Sequence, residues 1–265
     1  MTDEGQVMDG FRSWFTGYVA AFYTGDSAYD RNIRLKEEHT AEVRSNAVQI
    51  AGALGLDGRD RLLAEVIGLF HDVGRFPQYR QYRTFRDSES ANHAALSAKV
   101  LLGESVLGGL PKEERDLIVR AITLHNVFLL PAGLDGRLRT HAEIVRDADK
   151  LDIWRVFIDV LGLPEAERPS AAGLGLADVP ACSQEVVGNL LRREMVKLDR
   201  LRTLNDFKVL QLAWIYDLNT LPALRLARER DIIGRLSATL PRDGGIDRAL
   251  DAVRAYVDER LDSGR

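Results

Sequence analysis

The sequence predicts an all-α fold, and two observations carry that expectation. Apolar residues recur at spacings of three and four over most of the chain, the period of one helix face. No segment of useful length alternates apolar and polar residues as a half-buried strand does, and no internal repeat appears.

Phe11, Trp14, Phe15, Tyr18, Val19, Phe22 and Tyr23 lay an aromatic stripe along an N-terminal helix, which docks on the core or, alternatively, forms a homodimer contact. Val43, Ala47, Ile50, Ala51 and Leu54 keep helical period over 39–54, with His39 on the same core-facing side. Residues 61–73, "RLLAEVIGLFHDV", are apolar nearly all round, as a central helix is. Gly74 reads as the C-terminal stop of that helix, which leaves His71 and Asp72 in its last turn. Residues 75–90 read as a polar, aromatic loop or short helices, and a helix follows over 92–102.

Pro111 followed by Glu113 and Glu114 reads as a helix start with acids that favour the dipole, and Ile118, Ile122 and His125 share a face of that helix. A helix over 140–160 sets Asp147, Asp149 and Asp152 among apolar residues. Residues 161–182, rich in Gly, Pro and Ala, have no sustained period and read as a linker. Helical patterns return over 184–202, 205–217, 222–238 and 246–261. The expected organisation is an N-terminal helical segment (1–30), a helical domain (31–160), the linker (161–182) and a C-terminal helical region (183–265) packed on the core.

A chain of 265 residues, 45% hydrophobic and 29% charged, can bury a sizeable core. Its net charge of −4 supplies no basic surface for nucleic acid or an anionic membrane. The single cysteine, Cys182, excludes an internal disulfide and a Cys-rich zinc site and fits a reducing compartment. The N-terminus, MTDEGQVMDG, carries acids where a signal peptide carries positive charge, and no apolar stretch approaches the ~18 residues of a membrane span. A soluble, cytoplasmic protein without nucleic-acid or membrane partners is expected.

Against that background "VIGLFHDVGRF" is costly, because an isolated buried carboxylate is unstable unless paired, protonated or bound to a metal. His39, His71, Asp72, His93, His125 and one of Asp147 or Asp149 all fall on expected core faces or element ends. A lone histidine on an apolar face is more often a hydrogen-bonded core residue than a ligand. Four histidines and two acids on separate helices of one domain are harder to explain that way, and a mixed imidazole and carboxylate set suits a divalent ion. His141, beside Arg139 and Thr140 near a helix start, reads as a surface or capping residue.

These residues resemble the HD-domain metal-dependent phosphohydrolases, over residues 30–160. That family has a histidine on an early helix, a His-Asp pair ending a buried helix, and a later aspartate in an "A-D-[RK]-L" context. Here His39 in "LKEEHTAEV", His71 and Asp72 in "LFHDVGRF", and Asp149 in "RDADKLDIW" stand in those places. The resemblance selects Asp149 over Asp147, and it places His93 in "SANHAAL" and His125 in "AITLHN" where two-metal members add histidines. Many two-metal members carry a second histidine beside the one at 125, and this chain has Asn126. "FRDSESANHA" and "WIYDLN" resemble an uncharacterised bacterial branch of the superfamily.

The resemblance implies an HD-type helical core with additional N- and C-terminal helices. It also implies one or two divalent ions (Mn, Fe, Ni, Co, Zn or Mg), the first held by His39, His71, Asp72 and Asp149, with Asp72 bridging to a second held by His93 and His125. Asp72 and Arg75 are then the expected catalytic residues, and hydrolysis of a small phosphoester, a nucleotide above all, is the expected reaction. Arg75, Arg80, Arg83 and Arg86 in "RFPQYRQYRTFR" can pair with phosphate, and Tyr79, Tyr82 or Phe85 can stack on a base; a solvated charged face over tucked aromatics is the plainer alternative. Lys36, Asn126 and Lys150 join these as candidate substrate-binding residues, and Asp147 and Asp152 stand behind the ligands, where Asp152 orders a histidine or a water. Two rival classes are a metal- or nucleotide-binding sensor without turnover and an RNA-binding protein, the latter disfavoured by the net charge.

Overall fold

A computed structural model describes residues 3–163 and 176–264, and they are helical throughout, with one isolated bridge between Ala177 and Thr203. The linker expected over 161–182 lies largely outside the described residues. The chain separates into two compact units, 1–152 and 153–265. No helix among the described residues is long and apolar enough to cross a membrane.

The first unit holds α1 (Asp3–Ala20), α2 (Ser27–Ala53), α3 (Gly58–Phe70), α4 (Arg75–Tyr82), α5 (His93–Gly103), α6 (Lys112–Leu124) and the greater part of α7 (Gly136–Leu161). Short side chains set the helix starts: Asp26, Asp57 and Asn92 accept from the amides of Tyr29, Asp60 and Ala95, satisfying donors that have no partner within the helix. The aromatic stripe of α1 is core. Phe11, Phe15, Val19 and Phe22 are buried, with Phe11 against Phe70 and Phe15 and Phe22 against Phe76 at ring separations of 5.6, 5.9 and 5.7 Å.

Two glycines let the central elements approach. A methyl group on Gly68 would lie 3.0 Å from the Arg44 Cα, so α3 lies close against α2. One on Gly74 would meet the Ser97 amide and stand 2.6 Å from the His93 carbonyl. Gly74 is therefore not the helix stop expected of it: α3 ends at Phe70, Gly74 has an ordinary φ of −69° and opens α4, and only hydrogen fits between it and α5. Its amide donates to Ser97 Oγ at 2.9 Å. His71 and Asp72 thus lie in the tight turn between α3 and α4 instead of in a last helical turn.

The second unit begins with the end of α7 and continues through α8 (Gln184–Leu191), α9 (Leu204–Ala213), α10 (Leu221–Glu229), α11 (Ile232–Ser237) and α12 (Gly244–Asp262). Two of the expected helices are interrupted. Arg193 (φ +60°) follows α8 and Asp231 (φ +50°) separates α10 from α11, left-handed conformations that an apolar period running through both does not reveal. Thr203 and Asp206 form a reciprocal capping box on α9, and Phe157 packs edge-on against Phe207 at 5.0 Å.

Candidate metal centre

Four histidines and two aspartates from α2, the α3–α4 turn, α5, the end of α6 and α7 converge in the first unit. His39, His71, Asp72, His93 and His125 are all buried, His71 completely. Their ligand atoms form two triads that share one residue: His39, His71 and Asp72, and Asp72, His93 and His125.

Each imidazole is oriented from behind. His39 Nδ1 lies 2.7 Å from Asp152 Oδ2, His71 Nδ1 2.9 Å from the Gly68 carbonyl, His93 Nδ1 2.6 Å from Asp87 Oδ2 and His125 Nδ1 2.7 Å from the Ile122 carbonyl. A carbonyl or carboxylate oxygen only accepts, so every Nδ1 carries a proton and donates it, and every Nε2 of a neutral ring offers its lone pair to the centre. Asp72 receives them on both sides. Its Oδ2 is 3.6 and 3.7 Å from the Nε2 atoms of His39 and His71, and its Oδ1 is 3.5 and 3.8 Å from those of His93 and His125. Asp149 Oδ1 closes the first group at 3.1 Å from His39 Nε2 and 3.7 Å from His71 Nε2.

The donor set fits a divalent cation. His39 Nε2, His71 Nε2 and Asp72 Oδ1 are buried without a properly formed hydrogen bond, a costly state for polar atoms that a cation would relieve. Imidazole-rich ligation with carboxylates suits Zn, Fe, Mn, Co or Ni better than Mg, which prefers oxygen. One or two such ions are consistent with the two triads.

Electrostatics follow the same division. Burial pushes the Asp72 carboxyl up, but Lys36, Arg75 and the histidines outweigh it and hold it well below the usual carboxylate range. Burial pushes the Asp149 carboxyl up as well, but the nearby His39 and His71 outweigh it and hold it well below the usual range. Burial and Lys36 lower His39, and the carboxylates of Asp149 and Asp152 beside it reverse the sign, leaving it raised. Burial lowers His93, and it takes His125, with His93 and His71 nearby, down to about 3.

The other expected site residues divide into two groups. Lys36 Nζ donates to Asp72 Oδ2 at 2.8 Å, Arg75 Nε is 3.4 Å from Asp72 Oδ1, and the two cations lie over the Phe85 ring at 5.5 and 5.8 Å. Asn126 Nδ2 donates to Asp87 Oδ2 at 3.3 Å, and Asp147 and Lys150 are buried on α7. Arg80 and Arg83 instead cover the rings of Phe22 and Tyr29 at 3.9 and 4.2 Å, and Arg86 pairs with Glu89 at 2.6 Å. Tyr79 is buried against Tyr29 and Phe85, while Tyr82 is exposed.

His141 is corrected from surface residue to core residue: it is buried, and its Nδ1 donates to the Arg137 carbonyl at 2.9 Å, a bond within α7 that the polar flanks of the sequence conceal. Asp87 was not legible as a site residue. It sits in a 3-10 turn with no apolar period, and its only signal is its place six residues before His93.

A buried cluster of imidazoles and carboxylates within an all-helical unit defines a candidate divalent-metal domain. The family model described as the HD domain matches residues 37–154, from just before His39 to just past Asp152, and further helices lie on either side of the matched stretch. The metal-binding motif of that family is present and is consistent with metal-dependent phosphohydrolase activity in general. No curated protein and no solved structure matches the chain.

Proposed function

We propose that the chain is a divalent-metal-dependent phosphohydrolase acting on a small phosphoester, with a nucleotide as the favoured substrate. The observation that best supports this is the common orientation of the four imidazoles, each donating Nδ1 to a fixed acceptor and turning Nε2 toward an oxygen of Asp72. His39, His71, Asp72 and Asp149 would hold the first ion, and Asp72, His93 and His125 the second.

Bound there, such ions would supply Lewis-acid polarisation of a phosphoryl oxygen and would lower the pKa of water towards ~7. The chain's own groups bind and orient. Asp72 joins the two clusters through its two oxygens. Lys36 and Arg75, both already directed at Asp72, offer the cations that meet an incoming phosphate, Arg75 with a planar fork that matches its oxygens.

The test is a screen of nucleoside monophosphates, nucleoside triphosphates, cyclic dinucleotides and an aryl phosphate with Mn, Ni, Co or Mg added in turn. Turnover that needs the added metal and vanishes in Asp72→Ala is the expected result. Activity that persists in Asp72→Ala, or protein that takes up no divalent ion, overturns the proposal. Nucleotide binding without turnover of any substrate assigns the chain instead to the sensor class.

A further inference from the structure

Asp87 does more for the centre than its place in a polar turn suggests. Five donors converge on its carboxylate. Oδ1 accepts from Arg75 Nη1 at 3.1 Å and Gln78 Nε2 at 3.0 Å, and Oδ2 accepts from the His93 amide at 3.3 Å, His93 Nδ1 at 2.6 Å and Asn126 Nδ2 at 3.3 Å. Gln78 is fully buried and also donates to Ser90 Oγ and the Ala91 carbonyl, at 2.8 and 2.9 Å, so the turn that carries Asp87 is itself held from α4.

Each triad is supported by one backbone carbonyl and one carboxylate, and the two differ in where the carboxylate sits. His71 and His125 are each oriented by a carbonyl three residues earlier, and His39 by Asp152 of α7. Only His93 among the four depends on a side chain outside the α-helices, that of Asp87. Asp87 also holds the nearest guanidinium. Arg75 Nε is 3.4 Å from Asp72 Oδ1, the oxygen facing His93 and His125, while its Nη1 is drawn the other way by Asp87, Gln78 Oε1 and the Phe85 carbonyl. A guanidinium released from Asp87 loses the one charged group that draws it away, keeps only the neutral Gln78 and Phe85 acceptors, and can shift toward that oxygen to compete for it with a cation.

We propose that Asp87 is the positioning residue that sets occupancy of the second ion site, by aiming His93 Nε2 and by restraining Arg75 from Asp72 Oδ1. The inference rests on the metal-centre reading above and applies to one half of it.

The test measures binding, with calorimetric Mn titration and metal analysis after dialysis of the whole chain and three variants. Wild type should bind two ions. Asp87→Asn should keep the first at wild-type affinity and bind the second about 10–100-fold more weakly, the usual effect of losing the group behind a ligand histidine. Asp152→Asn, which loosens His39, should weaken the first ion and identifies which affinity belongs to which triad. Asp87→Glu keeps the charge near Arg75 but moves the carboxylate off His93, and it should weaken only the second ion, by a smaller factor; it decides the matter if Asp87→Asn does not fold.

Two ions at wild-type affinities in the Asp87 variants, or equal weakening of both ions, overturns the inference, because a merely structural role does not distinguish the sites. Wild type that binds a single ion overturns the inference and leaves a one-metal phosphohydrolase standing. Wild type that binds none overturns both.

Discussion

His93 Nε2 stands 2.9 Å from His125 Nε2, although both rings already donate their Nδ1 protons elsewhere. Two lone pairs at that distance repel unless a cation or a shared proton lies between them. A divalent ion meets that need at neutral pH, where burial keeps both rings from ionising readily.

Metal should therefore stabilise the fold. At a free concentration 100 times the Kd, an ion that binds only the native state contributes about 2.7 kcal/mol, a rise in Tm of roughly 5–10 °C for a chain of this size. Differential scanning fluorimetry with Mn and with EDTA should show this rise in the wild type and none in Asp72→Ala.

Lys36 is the closest cation to Asp72 at 2.8 Å, and both side chains are largely buried. Lys36→Met leaves Arg75 as the remaining cation beside that carboxylate, and the metal-free protein should lose stability toward the lower end of the about 3–5 kcal/mol seen when one partner of a buried pair is removed. Saturating Mn should restore most of it. Urea titrations with and without metal give both values.

Gly74→Ala places a methyl group against the backbone of α5, where no side chain is available to move aside. A loss of about 1–3 kcal/mol is expected, together with weaker metal binding, because the turn carrying Asp72 and the helix carrying His93 are pushed apart. Gly10→Ala is the control: nothing lies within 4 Å of the new methyl on α1, and stability should rise by about 0.5–1 kcal/mol.

The metal-free protein should weaken on mild acidification. His93 and His125 have folded pKa values below the ordinary 6.5, so below that pH the unfolded chain binds more protons than the fold, and stability falls as pH falls. His39 opposes them: its raised value contributes stability that is complete below 6.5 and lost as pH rises through the folded pKa. Asp72 and Asp149 add no slope above about pH 5, being ionised in both states. With two lowered histidines against one raised, the urea midpoint in EDTA should be lower near pH 5 than near pH 7, and His125→Asn should flatten the difference.

The ligand candidates were legible from the period: His71 and Asp72 end the apolar run from Val66 to Phe70, and His39 and His125 keep the period of buried neighbours. The all-helical class followed from the same period. What escaped notice depends on contacts between segments. Asp87 lies in a turn where period carries no information, Gly74 is small because α5 passes over it, and the helix breaks at Arg193 and Asp231 are left-handed residues inside continuous apolar patterns. The tyrosine and arginine run after Arg75 read as one phosphate-facing surface, yet Arg80 and Arg83 cap aromatic rings while Phe85 lies under Lys36 and Arg75.

The boundary between the two compact units falls inside α7, immediately after Asp152, the residue that orients His39. A fragment cut there would end in a fraying turn, with the carbonyls from Asp149 onward deprived of the amides four residues ahead. Asp149 and Asp152 would then hang from the least ordered part of the piece. The metal centre is consequently not portable at the seam that compactness suggests: a fragment that keeps Asp149 and Asp152 in ordered helix has to continue past that seam along α7, which runs to Leu161.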